Sequence, residues 1–151
     1  MVLPADIPAA AERSYKALSL QERLDLALRL ELSDVERALI LHREQWMQIR
    51  VYFARRLDLR SHEISILLDD ADHVIRLCIA KRHDLTPKQV AQCVNDRDAN
   101  VRYFIGRSPL LSEAQCAQLA ADEDPIVRRA VAKGPRSLQT RQRPGQAELV
   151  R

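Results

Sequence analysis

The chain repeats itself at a fixed interval of 26 residues. The stretch DRDANVRYFIGRSP, which begins at residue 96, returns in similar form as DEDPIVRRAVAKGP, which begins at residue 122. The same pattern is found one interval earlier, in DADHVIRLCIAKRH at 70–83, and with a degenerate start in EQWMQIRVYFARRL at 44–57. Self-similarity at a fixed period of this length indicates a repeat protein, in which each unit packs on its neighbours.

Two helices are predicted in each repeat. An aspartate stands at the expected N-cap of the first helix in the three clear repeats: Asp72, Asp98 and Asp124. The second helix begins with a capping box, formed by Thr86 with Gln89 and again by Ser112 with Gln115. Only three glycines and 4% aromatic residues are present, which disfavours the tight turns and bulky strands of a sandwich or barrel. The sequence therefore predicts an all-α fold, a solenoid of about five two-helix units.

Apolar side chains recur at two positions of every first helix, four residues apart. The first column holds Ile49, Ile75, Val101 and Val127. The second column holds Phe53, Ile79, Ile105 and Val131. Since residues i and i+4 share one helical face, these two columns are the predicted core of the repeats.

The repeats also set the predicted domain boundaries. Residues 1–135 are expected to form a single helical-repeat domain, with repeats over 44–135 and an N-terminal capping helix pair over 11–43. The segment 136–151 is predicted to be a basic, flexible tail, because no apolar period continues after Leu138. Its four arginines and one glutamate account for the whole formal net charge of +3, so the charges of the helical domain are balanced.

The repeated residues carry a resemblance to a known family. The pattern D-x-D-x-x-[IV]-R-x-x-[IV]-A-[KR], followed by proline, a Ser/Thr cap and a short apolar helix, resembles the leucine-rich repeat variant (LRV) family. It is also similar to HEAT-like repeats, and the match covers residues 44–135. The resemblance implies a right-handed α-α superhelix without a β-sheet, in which α-helices alternate with 3₁₀ helices. Some relatives carry an iron–sulfur cluster on N-terminal cysteines, but this chain has no cysteine before Cys78.

An arginine follows the first apolar column in all four units: Arg50, Arg76, Arg102 and Arg128. At 100° per residue, these arginines lie beside the buried face of their helices. There they can reach one interhelix-loop aspartate per repeat: Asp70, Asp96 or Asp122. We expect a structural ladder of Asp–Arg pairs, and the alternative is a row of arginines that binds phosphate groups.

A second basic column points away from the predicted core: Arg55, Lys81, Arg107 and Lys133. We expect these side chains to be exposed, as a docking line for an acidic partner or a phosphate backbone. The alternative is a solvated helix face that complements the C-terminal ends of the helix dipoles.

Two further candidates for partner contacts are polar or aromatic. Glutamines recur on the second helices, where they would contact a peptide backbone or else serve only as caps and solvated surface: Gln89, Gln92, Gln115 and Gln118. Trp46 stands where later repeats place the capping aspartate. It is expected either to pack on the N-terminal helix pair or to be an exposed anchor for a partner.

No catalytic or metal-binding pattern is present in the sequence. The three cysteines occupy repeat columns that otherwise hold hydrophobic residues, and their spacing fits neither a disulfide framework nor a zinc site. The four histidines share no column, and the Asp-rich loops lack the glycine and closing glutamate of a calcium loop. We therefore expect no enzyme activity, no metal and no cofactor.

The leading hypothesis is a scaffold that binds a protein or peptide partner along a solenoid surface. The alternative is a HEAT-like nucleic-acid-binding protein that uses basic surface residues and the Arg-rich tail. The chain start, MVLPADIPAAAERS, has no basic n-region or apolar h-region, and no run approaches a membrane span. A cytoplasmic location without membrane contact is expected.

Overall fold

The computed structural model of the protein describes all of residues 1–151. The chain forms a short 3₁₀ helix at Pro4–Asp6, ten α-helices and one two-stranded antiparallel sheet. The helices are α1 (Ala9–Ala17), α2 (Leu20–Leu28), α3 (Asp34–Arg43), α4 (Met47–Arg55), α5 (Ser61–Leu68), α6 (His73–Ala80), α7 (Pro87–Val94), α8 (Ala99–Gly106), α9 (Glu113–Ala120) and α10 (Pro125–Lys133). The strands are β1 (Thr140–Arg141) and β2 (Leu149–Val150). The fold is all-α apart from this small sheet, as the sequence predicts.

The helices pack in a regular order. The even-numbered helices from α2 to α10 form one row, in which each helix contacts the next even-numbered one, and we call this the even row. The odd-numbered helices α3, α5, α7 and α9 each pack on the even-numbered helix that follows them, and α1 packs on α3. None of the helices has the length and apolar content that a membrane span requires.

Both apolar columns predicted from the sequence face the core. The first column is buried throughout, with Ile49 at 3% exposure and Ile75, Val101 and Val127 at 0%. In the second column Phe53, Ile79 and Ile105 are buried, while Val131 on the last helix of the row is half-buried. The 3.6-residue period therefore identified the packed face correctly.

The predicted helix caps are all present. The side chains of Asp72, Asp98 and Asp124 each accept a hydrogen bond from the backbone N–H two residues later. Capping boxes begin α2, α3, α7 and α9, and those at Thr86 and Ser112 are predicted from the sequence. These bonds satisfy backbone donors that the first turn of a helix leaves without partners.

Helices α8 and α10 approach closely at Gly106. A β-carbon at this position would lie 3.2 Å from Ala130 Cβ, which is tighter than an ordinary van der Waals contact. The equivalent residues one and two repeats earlier are Ala80 and Ala54, and both are buried. Small side chains at this position allow neighbouring helices of the even row to pack tightly.

Two fully buried arginines join successive units of the even row. Arg82 donates from Nη1 to the carbonyl oxygen of Arg56 at 2.6 Å and from Nη2 to that of Leu57 at 3.1 Å. Its charge is balanced by Asp84, with Nε to Oδ1 at 2.9 Å and Nη2 to Oδ2 at 2.7 Å. These contacts satisfy carbonyl groups that the C-terminus of α4 leaves without helical partners.

Arg56 makes the equivalent contacts one repeat earlier. Its guanidinium donates to the carbonyl oxygens of Ala27, Arg29 and Leu30 at the end of α2, and it pairs with Asp58. We call Arg56 and Arg82 the arginine clamps, because each holds carbonyl groups at the end of the preceding even-row helix. Sequence reasoning missed both of them. The signal was an Arg-x-Asp triplet that recurs after 26 residues, RLD at 56–58 and RHD at 82–84.

The prediction of a flexible tail at 136–151 is wrong. The segment lies in extended form across the C-terminal ends of the even row, and it forms the hairpin of β1 and β2. Ala147, Leu149 and Val150 are at most 7% exposed. Burial of these three apolar side chains gives the segment a driving force that no helical period reveals.

Backbone hydrogen bonds fix the path of this segment. The Arg136 N–H donates to the Arg107 carbonyl at 2.7 Å beyond the end of α8. The Ala147 N–H donates to the Leu28 carbonyl at 2.8 Å, at the end of α2. The segment is also bonded to α4, which lies between α2 and α8 in the even row. The Leu57 N–H, just after α4, donates to the Glu148 carbonyl at 2.9 Å.

Three further features differ from what the resemblance and the sequence indicate. The second helices of the repeats, α5, α7 and α9, are α-helices rather than 3₁₀ helices. A small sheet is present where none was expected. The N-terminal pair, α2 and α3, is preceded by α1 and by a 3₁₀ helix that packs on α3.

Candidate partner-binding site

The first arginine column makes regular contacts between repeats. Arg76 donates from Nε to Asp96 Oδ2 at 2.8 Å and from Nη2 to Oδ1 at 3.2 Å. Arg102 makes the same two bonds to Asp122, at 2.8 and 3.2 Å. Arg76 and Arg102 also donate to the carbonyl groups of Asp70 and Asp96, in the loop before their own helices. Bidentate pairs of this kind engage the guanidinium groups inside the protein rather than leaving them free for phosphate.

The ends of this ladder are less complete. Arg50 pairs with Asp70 through a single contact, from Nη2 to Oδ2. Arg128 is exposed and reaches only the carbonyl oxygen of Asp122, at 2.7 Å. In the complete pairs the charges stabilise each other: the pKa of Arg102 is raised by its hydrogen bond to Asp122. Burial alone would raise the pKa of the Asp122 carboxyl, but the bond from Arg102, the bond from the Asp124 N–H and the charges of Arg102 and Arg128 together lower it, so the net shift is downward.

The second basic column is not the exposed line that the helical wheel predicts. Only Lys133 is exposed, while Arg55, Lys81 and Arg107 are half-buried beneath the 136–151 segment. Arg55 Nε donates to the Val150 carbonyl at 2.8 Å, and Arg107 Nε donates to the Gly134 carbonyl at 2.7 Å. The column does point away from the core, but the extended segment covers it.

A narrow cleft opens between the ends of α6 and α8 and the extended segment. We call it the basic cleft, and its principal lining residues are Lys81, His83, Phe104, Arg107, Arg136 and Arg151. The Lys81 Nζ lies 4.4 Å from the centroid of the Phe104 ring, a cation–π contact that holds the ammonium in place. No aspartate or glutamate lines the cleft.

The cations of the basic cleft form no ion pairs with aspartate or glutamate side chains, and Arg136 donates to the main-chain oxygen of Arg151. Ten other arginines of the chain form ion pairs with aspartate or glutamate, whereas Lys81, Arg107 and Arg136 form none. Burial lowers the pKa of the Lys81 ammonium, and the positive charges of Arg136 and Arg55 act in the same direction. Burial and Arg136 likewise lower the pKa of His83. The cleft is therefore a site of concentrated positive charge.

The glutamine columns are engaged within the protein. Gln89 is buried and donates to the carbonyl of Ser61 at 3.0 Å and to Ser65 Oγ at 2.9 Å. The amide groups of Gln92 and Gln118 donate to Asp69 and Asn95, and Gln115 closes the capping box of α9. Because these amides bond to the neighbouring repeat or to a cap, they are not a free strip for peptide binding.

Trp46 is 54% exposed and follows neither of the two alternatives completely. Its side chain lines a groove together with Leu20 and Leu24 of α2, so it faces the N-terminal pair. Its backbone N–H donates to Glu44 Oε1 at 2.9 Å. More than half of the side chain is nevertheless open to solvent, which leaves it able to contact a partner.

Sequence reasoning missed the contribution of the extended segment to the site. Arg136 and Arg151 were assigned to a free tail, yet both line the basic cleft. His83 lies in the loop after α6 and shares no column with another histidine. Only the concentration of arginines at 136–151 hinted at a role, and it did not indicate where they lie.

The side chains that line the basic cleft offer charge and hydrogen bonding. No group of three or more His, Cys, Asp or Glu side chains is placed to hold a metal ion. Cys78 and Cys93 are buried, and burial raises the pKa of both thiols, that of Cys93 to about 12.

No protein-family model matches the chain, and no curated protein or solved structure matches it either.

Proposed function

We propose that the protein is a non-catalytic helical-repeat scaffold that binds an acidic segment of a protein or peptide partner at the basic cleft. The proposal includes the right-handed superhelix of about five two-helix units that the resemblance to LRV and HEAT-like repeats implies. Contacts that recur after 26 residues support this architecture. Arg56 and Arg82 each hold the carbonyl groups at the end of the preceding even-row helix, and Arg76 and Arg102 each pair with the aspartate of the next repeat.

The observation that carries the proposal is the unpaired charge of the basic cleft. Three half-buried cations, Lys81, Arg107 and Arg136, share one cleft without an aspartate or glutamate, in a chain whose other half-buried or buried arginines are mostly ion-paired. Cations gathered in this way raise the local concentration of an acidic partner and its rate of association.

The C-terminal ends of the even row already accommodate an extended polypeptide, which favours a peptide over other partners. The segment 146–150 is held there by main-chain bonds from the ends of α2 and α4 and by the Arg55 side chain. Helix C-termini present carbonyl groups without helical partners, so an extended chain with free N–H groups is a suitable ligand for this edge.

Affinity capture with matched variants tests the proposal. A double variant, Lys81→Met with Arg107→Gln, removes two charges from the cleft while keeping most of the side-chain volume. The control is Lys88→Gln with Arg129→Gln, which removes two exposed charges elsewhere. We expect proteins captured from the host by the wild type and the control to be lost with the double variant, while circular dichroism shows that the variant is folded. Equal capture by a folded double variant would refute the cleft as the docking site.

Nucleic acid is the second candidate partner, and the hairpin favours it. Arg141 and Arg143 are exposed on that hairpin and line a second groove beside Leu28 and Tyr52, so they add to the positive surface of the segment. If phosphate backbone is the ligand, the affinity for a DNA or RNA duplex should fall steeply with salt and decrease in an Arg141→Gln, Arg143→Gln variant. Binding that is weak at 50 mM salt would exclude this candidate.

A further inference from the structure

The basic cleft holds hydrogen-bond donors that no protein group uses. The Lys81 ammonium contacts only the Phe104 ring and has no hydrogen-bond acceptor. Arg107 uses Nε on the Gly134 carbonyl, which leaves both of its terminal nitrogens without a protein partner. Arg136 uses only Nη2, on Gln139 and on the Arg151 carbonyl. A guanidinium has five N–H donors and an ammonium has three, so most of the donors in the cleft are free.

These free donors are held in place by contacts on their other sides. Lys81 is fixed over Phe104, Arg107 is tied to the end of α10 through Gly134, and the Arg136 N–H is bonded to the Arg107 carbonyl. A ligand would therefore meet side chains that have already lost much of their conformational freedom, which lowers the entropic cost of binding.

We propose that Lys81, Arg107 and Arg136 form a binding site for a phosphate group, supplied by a phosphorylated side chain of the partner. This inference rests on the proposed function and names the chemistry of the group that the cleft anchors. A phosphate dianion carries oxygen acceptors on all sides, which suits three cations that approach from α6, α8 and the extended segment. Arginine forks match phosphate geometry, and the lysine adds a point charge.

The lining of the cleft favours a phosphate group bound at its mouth over a nucleic-acid strand, since the enclosed volume of about 10 Å³ has room for about one water molecule. The cleft is narrow, and the one aromatic ring that lines it, Phe104, already lies beneath the Lys81 ammonium. Single-stranded nucleic acid is bound largely by stacking of bases on open aromatic faces, and none is available here. The Ser137 hydroxyl also lines the cleft and forms no hydrogen bond within the protein.

The test is an NMR titration with two probes, inorganic phosphate and a capped Gly-phosphoserine-Gly peptide, at constant ionic strength set with chloride. We expect saturable shifts of the backbone amides of Ser108 and Ser137 with both probes, and none with the unphosphorylated peptide. Lys81→Met and Arg136→Gln should each weaken binding about tenfold, the loss expected for one charge-assisted contact. Lys133→Gln is the matched control, because Lys133 belongs to the same column but is exposed on α10.

Each other outcome overturns the inference. Shifts spread evenly over Lys88 and Lys133, or equal affinities of the variants and the control, would show nonspecific screening. Binding of inorganic phosphate but not of the phosphoserine peptide would show that the ligand is the free ion and not a phosphorylated side chain. Tighter binding of a duplex that depends on Lys81 and Arg136 would replace it by nucleic acid. Arg136→Lys keeps the charge and provides a second variant if Arg136→Gln does not fold.

The two proposals fail in distinguishable ways. If phosphate binding is absent while the Lys81→Met, Arg107→Gln variant still loses the partner, the phosphate site is wrong and the acidic docking site stands. If phosphate binds as expected but partner capture is unaffected by the double variant, the site binds the ion and the proposed function is wrong.

Discussion

Replacing Arg82 with methionine tests the interpretation of the buried arginine clamps most directly. Arg82 is 1% exposed and donates to two carbonyl groups at the end of α4, those of Arg56 and Leu57. Methionine fills much of the same space, so the main loss is of hydrogen bonds rather than of packing. Each buried carbonyl that loses its partner costs about 1–3 kcal/mol. The counter-ion Asp84 is 44% exposed and stays hydrated without Arg82, so its contribution to the loss is small.

The expected decrease in the free energy of unfolding is therefore about 2–6 kcal/mol, the sum for two carbonyl groups that lose their partner. Equilibrium urea denaturation, followed by circular dichroism at 222 nm, measures this decrease. The matched control is Arg60→Met, since the Arg60–Asp34 pair is 44% and 51% exposed and should contribute about 0–1 kcal/mol.

A loss below about 1 kcal/mol for Arg82→Met, or one equal to that of Arg60→Met, would refute the clamp. If Arg82→Met does not fold, Arg82→Lys supplies the measurement. Lysine keeps the charge but lacks the planar fork, so it satisfies the two carbonyls less well than arginine. A lysine variant as stable as the wild type would show that the fork geometry is unimportant.

Three other changes test the packing, the ladder and the thiols. Ile105→Ala should cost about 2–4 kcal/mol in urea denaturation, because Ile105 is 0% exposed, and a loss below about 0.5 kcal/mol would contradict its place in the core. Arg102→Ala should destabilise the protein at pH 7 but progressively less below pH of about 4. The reason is that Arg102 helps to keep the pKa of the half-buried Asp122 carboxyl below its ordinary value. The stabilisation by this pair is therefore full at a pH above the ordinary pKa of an aspartate, and it is lost as the pH falls through the lower pKa of the folded state. A difference between variant and wild type that stays constant from pH 7 to about 3 would contradict it. Cys116, which is half-buried, should react first with a thiol reagent at a pH of about 8, because burial raises the pKa of Cys93 to about 12; equal rates at the two thiols, measured by mass spectrometry, would contradict this order.

The features that were predicted correctly are those encoded within one repeat or between neighbouring repeats. Asp98 caps α8 through a bond to a residue two positions later, so the local sequence is sufficient to place it. The buried face of α8 follows from Val101 and Ile105 in the same way. Even the partner of Arg102 was among the expected aspartates, because the repeat brings Asp122 close at a fixed offset.

The features that were missed depend on contacts between distant parts of the chain. Val150 meets Arg55 across 95 residues, and no repeat relates the two positions. The segment around Leu149 has too few apolar residues to show a period, although both of its last apolar side chains are buried. The exposure of Lys81 was mispredicted for the same reason, since the helical wheel describes the face of one helix and not what covers it.

The clamp residues illustrate a different difficulty. Arg56 and Arg82 are fully buried, although charged residues at loop positions are normally assigned to the surface. Their Arg-x-Asp triplets recur only twice, because Ser108 and Leu110 replace them in the next repeat. A pattern with two copies is weak in sequence, yet each copy makes several buried hydrogen bonds.

The extended segment has a consequence for how the protein opens. An array whose units contact only their neighbours loses its ends independently, with little cooperativity between distant units. Here the extended segment 136–151 is hydrogen-bonded to the ends of α2, α4 and α8, so the helices from α2 to α8 cannot separate until these bonds break. Helix α9, with Leu119 as its one buried side chain, lies outside that span. Amide hydrogen exchange should therefore show one cooperative unit from α2 to α8, with the N–H groups of α9 exchanging at a lower free energy.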